Sequence, residues 1–233
     1  MSIFDIKEGA IFIADAHYPH HGDEFLKILQ KIENREIITS QLFLLGDIFD
    51  LLFGYNEYIK SFSIDAITIL QKLSKDIEIH YIEGNHDFCL KDIFPHIRVY
   101  NRESQPIEFR LNNQSVYLSH GDIYETGVGY DIYSRLLRNR FTLTILRPFE
   151  KIIIDYQIKR LKNKNICHGF KRFEKKAVAI SRHYPPNSLI IEGHFHQAKE
   201  FKNYISLPSL ACQKEIGVIV NQKLIFEDIT PQK

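Results

Sequence analysis

The sequence predicts an α/β fold with a mainly parallel sheet, on three observations. Short apolar runs alternate with amphipathic helical stretches through the first part of the chain, in the order strand, helix, strand, helix, strand. Several of those runs are continuous, as strands covered on both faces are. Each one stops at a cluster of carboxylate, amide or imidazole side chains, where an α/β sheet places its functional loops.

The first strand is expected at Ala10-Ile11-Phe12-Ile13-Ala14 and runs straight into Asp15-Ala16-His17. A helix follows over Asp23 to Glu33, with Phe25, Leu26, Ile28, Leu29 and Ile32 at helical spacing. Gln41 to Leu45 is the second strand and ends in Gly46-Asp47-Ile48-Phe49-Asp50. A helix over Ser63 to Ser74 places Ile64, Ile67, Leu70 and Leu73 on one face. The third strand, Ile77 to Ile82, alternates in part and reads as half-buried; Glu83-Gly84-Asn85-His86-Asp87 follows it.

Beyond this point the strands are closely spaced, at Ile97–Tyr100, Pro106–Leu111 and Ser115–Ser119, with Asn112-Asn113 as a turn and His120-Gly121-Asp122 at the end of the third. From Tyr124 to about Tyr184 the signal is helical, strongest at Tyr130–Leu137 and Phe149–Tyr156, the latter started by Pro148. Pro185-Pro186-Asn187 closes this segment. The strand Ser188–Glu192 then enters Gly193-His194-Phe195-His196, and short strands follow at Tyr204–Leu207, Glu215–Val220 and Lys223–Glu227, the last pair joined at Asn221-Gln222.

At 233 residues, 44% hydrophobic and 25% charged, the chain has the composition of an ordinary globular protein. It is read as a single domain over 1–233 with a basic helical insert at about 124–186. Cys89, Cys167 and Cys212 are odd in number and unpatterned, which suggests neither a disulfide framework nor a thiolate zinc site and points to a reducing cytoplasm. No basic leader precedes the first strand, and no apolar run reaches the roughly 18 residues of a membrane span. The expectation is a soluble cytoplasmic protein, with peripheral contact at the inner membrane left open. Charge is segregated: Tyr124 to Lys176 holds 13 Lys or Arg against 5 Asp or Glu, and the remainder holds 17 against 24. An anionic partner suits that segment, although a solvated basic helical face accounts for the charge equally.

Five expected strands thus end in metal-binding residue types: Asp15 with His17, Asp47 with Asp50, Asn85 with His86 and Asp87, His120 with Asp122, and His194 with His196. A mixed carboxylate, amide and imidazole set without thiolate suits Mn²⁺, Fe or Zn²⁺ and leaves room for two ions sharing a carboxylate. Each piece alone is weak, because an isolated histidine is more often a hydrogen-bonded structural residue than a ligand. His20, His21, His80, His96, His168 and His183 fit that structural role. Asp87 and Asp122 are read as turn or supporting residues, and Cys89 as a core residue.

In order, Asp15-X-His17, Gly46-Asp47-X-X-Asp50, Gly84-Asn85-His86-Asp87, His120 and Gly193-His194-X-His196 resemble the motifs of the calcineurin-like metallophosphoesterase superfamily. The resemblance implies a four-layer α/β/β/α sandwich with a helical cap insertion and a dinuclear metal site. It implies that Asp15, His17 and His196 bind one divalent ion, that Asn85, His120 and His194 bind the other, and that Asp47 bridges them, with Mn²⁺ the first choice of metal. His86 would stand beside the substrate phosphoryl group, oriented by Asp50.

Within the superfamily the chain looks most like the UDP-2,3-diacylglucosamine diphosphatases of lipid A biosynthesis, on Gly46 to Gly54, Glu83 to Phe88, His120-Gly121-Asp122 and the length of the insert. That implies water attack on the pyrophosphate of an acylated UDP-sugar, releasing UMP and a lipid monophosphate. The best-known branch of that family carries arginine at the position of His86. Hydrolysis of another phosphodiester or nucleotide, and a non-catalytic scaffold, are the other readings; no nucleic acid partner is expected.

Overall fold

The computed structural model describes residues 3–124, 138–167 and 171–230. The strands are β1 (Phe4–Asp5), β2 (Ile11–Ile13), β3 (Gln41–Leu45), β4 (Leu52–Phe53), β5 (Glu78–Ile82), β6 (Asp87–Phe88), β7 (Arg98–Tyr100), β8 (Ile107–Leu111), β9 (Gln114–Ser119), β10 (Leu189–Glu192), β11 (Lys199–Phe201), β12 (Tyr204–Ser206), β13 (Glu215–Val220) and β14 (Lys223–Asp228). The helices are α1 (Glu24–Glu33), α2 (Glu57–Ser61), α3 (Ile64–Leu73), α4 (Arg140–Leu146), α5 (Glu150–Lys162), α6 (Phe173–Ser181) and α7 (Leu210–Gln213).

Two six-stranded sheets result, with strand orders β14-β13-β2-β3-β5-β7 and β1-β8-β9-β10-β12-β11. In the first, β2, β3, β5 and β7 are parallel; in the second, β9, β10 and β12 are. Successive side chains of a strand face opposite ways, and here both ways are covered. Ile11, Ile13, Leu42, Leu44, Ile79 and Tyr81 pack with Phe25, Leu29, Ile67 and Leu70 of α1 and α3. Their neighbours Phe12, Phe43, Leu45 and Ile82 face Phe109, Val116, Leu118 and Ile191 of the other sheet. Beyond that sheet, Ala177 and Ile180 of α6 close over Ile190 and Tyr204. The layers therefore run α/β/β/α, and coverage on both faces is the reason the strands read as continuous apolar runs.

The structure departs from the sequence reading at four points. Cys167 and Cys212 are joined in a disulfide, which their irregular spacing gave no reason to expect, and Cys89 is free. Nothing in the sequence placed the helical insert against the sandwich, yet Ile154 and Ile158 of α5 join the cluster under α1 and α3. β5 is buried almost throughout, with His80 enclosed between the sheets. Finally, β4 and β6 form a short parallel pair that lays the loop after β3 beside the loop after β5. The helix expected at Tyr130–Leu137 and His168 lie outside the described residues. Among the described residues no helix is long and apolar enough to cross a membrane.

Candidate active site

The loops after β2, β3, β5, β9 and β10 carry side chains from both sheets to one place. Asp15, His17 and His196 each offer a ligand atom, all within 4.8 Å of one another, and so do Asp47, His120 and His194. Asn85 borders the second group, its Oδ1 3.2 Å from His120 Nε2. The ring centroid of His17 is 5.6 Å from that of His196 and 5.3 Å from that of His86, and those of His120 and His194 are 4.9 Å apart.

Backbone carbonyls fix which ring nitrogens face the site. His120 Nδ1 donates to Leu45 O at 2.9 Å, His196 Nδ1 to Ile166 O at 3.0 Å, and His86 Nδ1 to Asp50 O at 2.7 Å. A carbonyl only accepts, so the proton is on Nδ1 and Nε2 is turned toward the cluster. Asp15 is held from several sides: its Oδ2 accepts the His194 amide at 2.8 Å, and its carbonyl accepts Ser209 Oγ at 2.8 Å. The Asp47 Oδ1 accepts the His86 amide at 2.8 Å.

Asp87 is a loop clamp. Its carboxylate accepts the amides of Asp47 (3.0 Å), Ile48 (2.7 Å) and Gly84 (2.8 Å) and the hydroxyl of Tyr81 (2.6 Å). That is the supporting role expected of it. Burial pushes its carboxyl up to about 6, and the charge of Asp47 adds to the rise.

Asp50 sits differently from the sequence expectation. Its backbone carbonyl orients His86; its carboxylate turns the other way, to His20 (Nδ1 3.0 Å, amide 2.8 Å) and His21 (Nδ1 2.7 Å). Burial alone would raise Asp50, but the hydrogen bond from His20 and the neighbouring imidazoles of His17 and His21 outweigh it and hold the carboxyl below its ordinary range. His20 and His21 have structural partners, as expected, yet they belong to the wall of the site. Their position depends on Asp50, 30 and 29 residues away, and nothing local in the sequence signals it. Two further residues escaped the sequence reading. Gln105 joins the loops by accepting the His120 amide at 2.8 Å and donating to Glu83 O at 2.7 Å, and Arg138 donates to Gly84 O at 2.7 Å.

Electrostatics favour cations here. Burial lowers His17 to about 4, so its imidazole is neutral, the form that ligates. For Asp47 burial would raise the carboxyl, but His120, His86 and His17 together hold it well below the usual carboxylate range. Both ring nitrogens of buried His17 and Asp15 Oδ1 lack a hydrogen-bond partner among the described residues. Asp15 Oδ1 does lie 3.2 Å from His196 Nε2, a close ionic contact without hydrogen-bond alignment. Buried donors and acceptors left without partners beside a neutral imidazole fit a divalent metal ion.

The profile of the family described as Calcineurin-like phosphoesterase matches residues 10–207, which takes in all five loops. The chain belongs to the calcineurin-like phosphoesterase family. Its members are metal-dependent phosphoesterases, and this chain is one, with Asp15–His17–His196 and Asp47–His120–His194 as candidate metal-ligand groups.

Curated relatives of this calcineurin-like phosphoesterase bear the name UDP-2,3-diacylglucosamine hydrolase. The protein of Blochmanniella pennsylvanica is 25% identical over 235 residues, covering 91% of this chain and 92% of that one. That of Stutzerimonas stutzeri is 29% identical over 140 residues, and the match spans only 59% of this chain and 58% of that relative. Among solved structures, the E. coli phosphoesterase Yfce aligns with 95% of this chain and 99% of its own at a TM-score of 0.46 and 14% identity.

Proposed function

We propose that this phosphoesterase hydrolyses the pyrophosphate of an acylated UDP-sugar, UDP-2,3-diacylglucosamine, to UMP and the lipid monophosphate, as a step of lipid A biosynthesis. The observation that carries the proposal is a cavity of about 360 Å³ that opens onto Asn85 and His86 and is walled by Leu143 and Leu146 of α4, Ile153 and Leu161 of α5, and Phe53 and Phe88. Such a wall suits acyl chains. The names of the curated relatives support the same substrate class.

In this reading Asp15, His17 and His196 hold one cation, Asn85, His120 and His194 hold the other, and the buried carboxylate of Asp47 joins them. The donor set suits Mn²⁺ first, with Fe or Zn²⁺ as alternatives. Such a pair of ions supplies Lewis acidity at the phosphoryl oxygens and acidifies a water. The chain's own contribution is positional. His86, its Nδ1 tied to the Asp50 carbonyl, points Nε2 at the phosphoryl group and serves the charge that builds on its oxygens or the proton the leaving group takes. Hydrolysis adds one water across the P–O–P linkage: hydroxyl to one phosphorus, proton to the departing phosphate oxygen.

Peripheral contact with an anionic membrane extends the proposal. Phe141 and Ile152 are 74% and 73% exposed, beside a basic helical segment, a combination suited to a lipid surface. A panel of substrates with Mn²⁺ tests the reading. The expected outcome is turnover of the acylated UDP-sugar well above that of UDP-glucose or a small chromogenic diester. Equal or better turnover of soluble nucleotides would instead make this a nucleotide phosphoesterase.

A further inference from the structure

The Cys167–Cys212 bridge lies against the first metal-ligand group and has no part in the reading above. Cys167 lies within the insert, shortly after α5; it is exposed and directly follows Ile166, whose carbonyl accepts the Nδ1 proton of His196. Cys212 sits in α7, a turn fastened to the floor of the site. Leu210 and Ala211 donate their amides to Ala14 O (3.0 Å) and Asp15 O (3.2 Å), and Gln213 Nε2 donates to His196 O at 2.9 Å. Cys212 Sγ itself is 3.8 Å from His196 Nδ1. The bridge joins residues 45 apart in sequence. It therefore staples the stretch of the insert just past α5 to the turn that holds Asp15 and His196. Nearby, Lys164 O lies 3.3 Å from His21 Nε2.

We propose that the Cys167–Cys212 pair is a redox-operated positioning element for His196, closed when oxidised and released when reduced, which sets the affinity of the Asp15–His17–His196 site for its cation. With the bridge closed, Ile166 O is held where it fixes the tautomer and plane of the His196 ring, the role of an outer partner to a ligating histidine. With the bridge open, Ile166 loses the covalent tether that its neighbour Cys167 supplies. Loss of an outer partner of this kind weakens a site about 10–100-fold. Exposed Cys167 gives a small reductant access, as a reversible bridge requires.

A tertiary phosphine and one water give the phosphine oxide and two cysteine thiols; a low-molecular-weight disulfide, reduced to two thiols, closes the bridge again.

The inference rests on the reading of Asp15, His17 and His196 as metal ligands, and the experiment separates the two. Thiol titration of the unfolded wild-type chain should count at most one thiol, Cys89, after treatment with a small disulfide and three after phosphine. Mn²⁺ titration of the oxidised folded protein by calorimetry should find two sites. After phosphine one should be unchanged and the other at least about tenfold weaker, and reoxidation should restore it. The double variant Cys167→Ser/Cys212→Ser should show the weak site under both conditions, whereas Cys89→Ser should respond as wild type does. Equal affinities in the two redox states, a response that survives in the double variant, or a count of three thiols after oxidation would overturn the inference and leave the metal assignment standing. Failure of the oxidised protein to bind Mn²⁺ at all would overturn both. The wild-type comparison needs no variant to fold.

Discussion

Asp15, His17, Asp47, His194 and His196 all hold backbone φ between 46° and 63°, a region that side-chain-bearing residues seldom enter. Each such residue costs about 1–3 kcal/mol and persists where its surroundings over-determine it. Here the surroundings do: Asp47 is gripped by Asp87, and Asp15 by Ser209 and His194. The same crowding explains Gly84, where a Cβ would collide with the amide and carboxylate of Asp47 and approach Asp87 Oδ1 to 2.9 Å. Gly84→Ala should therefore cost about 1–3 kcal/mol in stability and reduce bound metal, measured by thermal unfolding and metal analysis. His86 presents the opposite case, because in the proposed reading it would face the phosphoryl group, and it belongs to neither candidate metal group. His86→Ala should keep bound Mn²⁺ near the wild-type level while lowering kcat by roughly 10²–10⁴-fold. Wild-type turnover in that variant would remove His86 from the mechanism, and loss of metal would make it a structural residue.

α5 shows how an element can serve two purposes at once. One side is stitched to the sandwich: Ile154 is 2% exposed in the main core, Glu150 accepts Asn56 Nδ2 at 2.8 Å, and Asp155 accepts the Tyr58 hydroxyl at 2.6 Å. The other side presents Ile152 and Tyr156 outward, while Ile153 turns partly into the cavity beside His86. Ile154→Ala should cost about 2–5 kcal/mol of stability. Ile152→Ala should leave thermal stability nearly unchanged yet lower turnover of the acylated UDP-sugar on vesicles more than that of a small diester; equal losses on both would argue against a lipid-facing role. Elements of this kind differ in how legible they are. β2, β3, β5, α1 and α3 are readable from apolar spacing alone, and so are the turns at Asn112-Asn113 and Asn221-Gln222, whose positive φ suits asparagine. The five loops that carry the candidate site residues are readable because each follows an apolar strand. The two-residue β4 and β6 are not, because they exist only through pairing between distant loops, and the split character of α5 depends on a core built from the rest of the chain.

At the scale of the whole molecule, the seam between the two sheets carries a titrating group. His80 is fully enclosed there, its ring stacked on Phe43 at 4.9 Å and edge-on to Phe109 at 4.9 Å, with Nδ1 2.9 Å from the Tyr100 hydroxyl. Burial lowers it to about 4; Glu78 opposes that shift, and Arg98 adds to it. In the unfolded chain a histidine titrates near 6.5. As pH falls below that value the unfolded state takes up the proton first, so His80 costs nothing above about pH 6.5 and destabilises progressively toward pH 4, by about 3 kcal/mol at most. His80→Phe keeps an aromatic ring in the seam and removes the proton site. Denaturant unfolding at pH 7.0 and pH 5.0 should show wild type losing more stability than the variant between the two, with the variant's own deficit at pH 7 reflecting the unpaired Tyr100 hydroxyl. Identical losses in both proteins would place the acid sensitivity of the sandwich elsewhere than at its seam.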